Sequence, residues 1–216
     1  MHSLKILSYI GLCVLLINTI IYSIGFSRKG KAYKSFVIYL ISLFVIQAVT
    51  EICASKNINN HFIATYYLFL PFTLLSVFFY YLFSDINSKK KFVVQYCTVL
   101  IASGLITQYC MYPALYYEFN SIGLLVTTCI VIVYAVLYLF DLISKQLSFH
   151  YVTIGIFVYF ISSSLIFASA TSILSFNVEI GMFIWKINAL LFIVYQLLIL
   201  WEWKQTFYLK PTKLDS

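Results

Sequence analysis

The sequence predicts an all-α membrane protein, a polytopic bundle of seven transmembrane helices with its N-terminus outside and its C-terminus in the cytoplasm. Three observations carry this prediction. Of the 216 residues, 62% are hydrophobic and 10% charged, whereas a soluble domain is about half apolar and about a quarter charged. Lipid must therefore be the solvent for most of the chain. Seven apolar runs each approach the roughly 20 residues needed to cross a hydrocarbon core of ~30 Å. The basic residues, finally, gather in alternate connections, as short loops of a membrane protein do.

Helix 1 is expected over about 4–26. Its apolar run exceeds the h-region of a signal peptide, only Lys5 precedes it and no A-x-A site follows, so it is read as an uncleaved span. Helix 2, about 35–54, carries Gln47, Thr50 and Glu51 in its second half. Helix 3, about 63–84, contains Pro71. Lipid tolerates such a proline as a kink when a hydroxyl takes the freed carbonyl, and Thr73 is the expected donor. Helix 4, about 92–112, ends at Pro113, and helix 5, about 121–143, ends past Asp141. Helix 6, about 150–174, is rich in Ser162, Ser163, Ser164, Ser169, Thr171 and Ser172. Such small residues let helices approach closely and bond across the interface. Helix 7, about 181–203, leads into a tail over 204–216. No stretch is left for a soluble domain, so 1–216 reads as a single transmembrane domain.

Orientation follows from charge. The connections after helices 1, 3 and 5 and the tail hold Arg28, Lys29, Lys31, Lys34, Lys89, Lys90, Lys91, Lys145, Lys204, Lys210 and Lys213. The N-terminus and the remaining connections hold only Lys5 and Lys56, which places the basic side in the cytoplasm. This topology accounts for the net charge of +7, and nothing points directly to nucleic acid. Membrane lipids are the expected surroundings, and Trp201 and Trp203 suit an inner headgroup belt.

Several chemistries are disfavoured. Cys13, Cys53, Cys97, Cys110 and Cys129 show no C-x-x-C spacing and read as small buried hydrophobes, although a disulfide between Cys53 and Cys110 is compatible with the topology. His61 and His150 fall at opposite membrane faces and cannot share a metal ion or a haem. No G-x-S-x-G, H-E-x-x-H or Walker glycine loop is present. No cofactor is expected, and the chain leans away from catalysis.

One charge stands inside an apolar span. Lys186 in helix 7 is a candidate functional residue because an ionisable group in the membrane is costly. Helix 7 runs inward, so Lys186 lies about 7–8 Å below the outer boundary at 1.5 Å per residue. Helix 2 runs outward and brings Glu51 to the same level. Around it are expected His61, Glu118, Asn188, Tyr66, Tyr67, Gln108, Asn57, Asn59, Asn60, Asn177 and Glu179, an outward polar pocket. A Glu51–Lys186 pair serving only to lock two helices fits the same pattern.

The stretch YYLFLPFTLL (66–75) and a lysine in helix 7 resemble microbial rhodopsins, but helix 3 lacks a counter-ion carboxylate and Met182 stands where an acid would precede the lysine. Retinal is therefore not expected. The pattern N-N-x-x-I-x-T-Y-Y ahead of Pro71, with IWKINALLFIVYQLLILWEWK near the end, resembles small seven-helix inner-membrane proteins of Bacteroidota. That resemblance implies class and a bacterial inner-membrane location, and no activity. The function expected is non-enzymatic: binding or sensing a ligand at the outer face and coupling to a partner protein in the membrane or cytoplasm. The alternatives are a small-solute transporter or channel, suggested by Asn18, Gln95 and Gln196 within the spans, and a lipid-modifying enzyme with an outer-leaflet pocket.

Overall fold

The computed structural model describes residues 2–56, 58, 60–118, 120–145, 147–173 and 178–208. Among these the chain is helical almost throughout, with no strand. The α-helices are α1 (His2–Ile24), α2 (Lys31–Ser55), α3 (His61–Ser84), α4 (Ser88–Met111), α5 (Ser121–Ser144), α6 (His150–Ile173) and α7 (Val178–Glu202). Short 3-10 turns at Phe26–Arg28 and Pro113–Tyr116 lead into α2 and follow α4, and α7 runs on into a π-helical segment, Trp203–Tyr208.

Among the described residues six helices, α1 to α5 and α7, are long and apolar enough to cross a membrane, and the described apolar stretch of α6 is His150–Ile166. Apolar side chains also face outward, as an integral membrane protein requires: Leu100 and Ile106 in α4 are 72% and 56% exposed. Such exposure over the length of a helix would be a liability in water.

Two helices begin four residues earlier than the pattern predicts. α2 starts at Lys31 rather than 35, and α4 at Ser88 rather than 92. The predicted boundary stopped at the last lysine, but helical structure continues beyond the apolar run into charged sequence. For α4 the reason is visible: Asn87 Oδ1 accepts from the N–H groups of Lys89 (3.0 Å) and Lys90 (3.4 Å), capping free amides.

Inter-residue contacts group the chain into two units, Ser23–Tyr134 and Met1–Tyr22 with Ala135–Ser216, each described by itself. In the first, α3 packs on α2 and on α4. Its centre is a run of rings: Phe36 to Phe78 at 5.2 Å, Phe78 to Phe79 at 5.3 Å, Phe79 to Tyr134 at 6.1 Å. These tilted contacts suit the ring quadrupoles. The Tyr134 hydroxyl donates to the Val94 carbonyl at 3.2 Å and lies 3.1 Å from Thr98 Oγ1, which ties α5 to α4. α3 continues unbroken through Pro71. Thr73 is exposed, and the hydroxyl bonded along this turn is that of Ser76, which donates to the Phe72 carbonyl at 2.7 Å. All five cysteines are free, Cys53 and Cys110 included.

In the second unit α6 lies close against α7. Gly155 makes the approach possible, since a Cβ there would stand 2.8 Å from Tyr195 Cδ2. Tyr195 in turn stacks on Tyr159 at 5.3 Å, with the rings nearly parallel. Deep among apolar neighbours, Asn18 donates from Nδ2 to both the backbone carbonyl (2.8 Å) and the Oε1 (2.9 Å) of Gln196. The two buried amides thus bind α1 to α7.

Candidate functional site

The polar residues expected at the outer face divide between the two units. In Ser23–Tyr134 they collect where α2 finishes, α3 begins, and α4 passes to α5. Tyr66 Oη and Tyr116 Oη share a hydrogen bond at 3.1 Å, their rings edge to face at 6.4 Å. Tyr116 belongs to the 3-10 turn outside the spans, and the bond to Tyr66, followed by desolvation, holds its phenol above the usual 10.0. Nearby, Asn120 donates to Gln108 Oε1 at 3.2 Å while its Oδ1 accepts from the N–H of Gly123 at 2.8 Å, capping α5. One amide thereby fixes both the loop and the start of the next helix. Tyr66 and Gln108, two residues of the expected cluster, are therefore joined to this loop by hydrogen bonds.

The other predicted residues are placed as follows. Glu51 is half-buried in the last turns of α2, and Glu118 is exposed in the bend after the Pro113–Tyr116 turn. His61 is the first residue of α3. Asn57, Asn59 and Asn177, and the side chains of His61 and Glu179, lie outside the described residues. In the second unit Lys186 is half-buried on α7. Asn188 accepts from Ser163 Oγ at 2.9 Å, which joins α7 to the serine-rich stretch of α6. That serine is accordingly packing surface, the role its composition suggested.

A second constellation was not foreseen. Glu202, in the last turn of α7, is completely buried. Its Oε1 accepts from the N–H of Phe149 at 2.8 Å and from Thr206 Oγ1 at 2.6 Å, and its Oε2 accepts from the N–H of Tyr151 at 2.7 Å. Phe149 and Tyr151 flank the start of α6, where backbone amides have no helical partner and the helix dipole favours an anion. The carboxylate is thus a cap supplied from another helix. Phe149 adopts a left-handed backbone, φ 62°, unusual for an aromatic residue. The turn is further held by Tyr138, whose hydroxyl donates to the Ser148 carbonyl at 2.7 Å.

The segment after α7 folds onto this cap. The Phe207 ring meets Phe149 at 5.2 Å and Tyr22 at 6.1 Å, and the Tyr22 hydroxyl donates to the Ile199 carbonyl at 3.0 Å. Glu202, Thr206 and Phe207 therefore latch the exit of α7 to the start of α6 and the end of α1. In sequence the only local sign was the i, i+4 spacing of Glu202 and Thr206, because the other partners lie some fifty positions away.

No protein-family model, curated protein or solved structure matches the chain.

Proposed function

We propose that the protein is a non-enzymatic integral membrane protein of a bacterial inner membrane, crossing it seven times with its C-terminus in the cytoplasm. It binds or senses a ligand at the outer face and conveys that state through helix 7 to a partner protein. The observation that best supports coupling is the Glu202 latch. Three hydrogen bonds and the Phe207 ring fasten the end of α7 and the segment leading toward the tail to one helix start. Movement of α7 then reaches the tail as a shift of a defined body rather than being lost in a slack connection. Within the Ser23–Tyr134 unit, Tyr66, Tyr116, Gln108 and Asn120 supply a hydrogen-bonding cluster where α3 begins and α4 passes to α5.

Removing residues 209–216 tests the coupling while sparing the latch. The truncated protein is expected to accumulate in the membrane at the normal level, yet to give a cell the transcript profile of the gene deletion. A wild-type profile in the truncated strain would overturn the proposal.

A further inference from the structure

At the end of the Ser23–Tyr134 unit where α2 and α4 begin and α3 ends, the structure contains a cleft of about 450 Å³. Pockets for small ligands have volumes of roughly 300–1,000 Å³. Its walls are Lys31, Tyr80, Tyr81, Ser84, Asp85 and Lys91, with Ala32 beside them. The two tyrosine rings meet edge to face at 5.4 Å. Lys91 Nζ stands 5.0 Å from the Tyr80 ring centre and Lys31 Nζ 5.9 Å from that of Tyr81. Each ammonium is held over a ring face, and among the described residues neither is neutralised by an ion pair.

The charge around this cleft is one-sided. Arg28, Lys29, Lys34, Lys89 and Lys90 add to the two lysines of the wall, against the single carboxylate of Asp85. Neither α2 nor α4 has an acidic residue in its first turn. Lysines stand where the helix dipole favours an anion, so ammonium groups and dipole ends raise the potential together. Topology needs basic residues in these loops, but it needs no cleft and no pair of tyrosine rings in its wall. The surroundings are also apolar on one side: Val77, one turn along α3 from Tyr80 and Tyr81, and Phe92, next to Lys91, are exposed.

We propose that this cleft binds the phosphate ester of an anionic lipid headgroup. Lys31 and Lys91 supply the opposing charge, and the hydroxyls of Tyr80, Tyr81 and Ser84 supply donors to the phosphate oxygens. Basic pockets between helices at a cytoplasmic face suit such headgroups. The exposed Val77 and Phe92 offer the acyl chains an apolar surface beside the headgroup site. A free phosphate shares the headgroup's chemistry but would make no use of that surface. The proposal does not rest on any ligand at the outer face.

The test uses the full-length protein in phosphatidylcholine nanodiscs, with labelled phosphatidylglycerol and, separately, inorganic phosphate as probes. The double variant Lys31→Gln/Lys91→Gln is expected to weaken phosphatidylglycerol binding by about tenfold or more, and Arg28→Gln/Lys89→Gln, with the same charge change outside the cleft, by clearly less. Asp85→Asn is expected to tighten binding, a gain that misfolding cannot imitate. Equal losses in the two double variants would assign the effect to diffuse surface charge and overturn the proposal. Equal binding of phosphatidylglycerol and phosphatidylcholine would do the same. Inorganic phosphate binding more tightly than phosphatidylglycerol would assign the cleft to a soluble anion and overturn the lipid reading.

Discussion

Glu202 accepts three hydrogen bonds at a position where water has no access. An uncompensated carboxylate in such surroundings would cost several kcal/mol; here the free amides at the start of α6 offset that cost, and the carboxylate satisfies them in return. Removing it takes the acceptor from the buried amide of Phe149 and the half-buried amide of Tyr151, at about 1–3 kcal/mol each. Glu202→Ala is therefore expected to lower the unfolding free energy in detergent by roughly 2–5 kcal/mol. Glu202→Gln, whose amide nitrogen would face an N–H, is expected to fall between alanine and wild type. Glu118→Gln, on an exposed carboxylate, should stay within about 0.5 kcal/mol of wild type. Thermal melts of the three variants check the order, and a Gln variant as stable as wild type would remove the charge from the argument. Of this arrangement the sequence disclosed little: W-E-W reads as a headgroup belt, and its amide partners lie in a distant connection. The tyrosine pair was half legible, since Tyr66 belongs to the expected polar cluster while Tyr116 sits in a link whose fold no periodicity describes.

At the scale of helices, hydrophobicity cannot hold α1 on α7, because lipid tails are as apolar as leucine. The Asn18–Gln196 bonds supply a specific attachment instead. Their remaining atoms, Asn18 Oδ1 and Gln196 Nε2, are buried without a partner among the described residues, so the pair is only partly satisfied. This predicts a particular pattern of substitutions. Asn18→Leu or Gln196→Leu alone abandons one amide in an apolar site and is expected to cost about 1–3 kcal/mol. The double substitution removes both amides and should cost less than the sum, coming close to neutral. A double-mutant cycle on detergent stability measures this coupling, and strictly additive losses would show that the two amides act independently. Spans of this kind were readable from length and composition. Their partners were not, because a polar residue in an apolar run declares a need for a partner without saying which helix provides it. Pro71 illustrates the same limit: the helix through it was expected, but the bonded hydroxyl nearby is Ser76 rather than Thr73.

For the whole molecule, the number of crossings depends on α6. Its described apolar stretch is His150–Ile166, and helical backbone continues to Ile173, 24 residues in all. At 1.5 Å per residue that is about 36 Å, enough for a core of ~30 Å with some tilt. Polar hydroxyls in its second half need not prevent insertion, since Ser163 is already bonded to Asn188 and Ser164 to the Ile161 carbonyl. A hydroxyl bonded within or between helices presents little unsatisfied polarity to lipid. Seven crossings are therefore expected, and an odd number separates the termini. The charge asymmetry leads independently to the expectation that the C-terminal side is cytoplasmic. A fluorescent protein that matures only in the cytoplasm, fused after Ser216, should fluoresce. A phosphatase active only outside, fused ahead of the N-terminus behind a neutral linker, should be active in the same cells. Both reporters on one side would mean six crossings, with α6 inserted without traversing. The basic connection after α5, holding Lys145, would then face the same side as the one before α7, and the positive-inside argument would lose its support from that half of the chain.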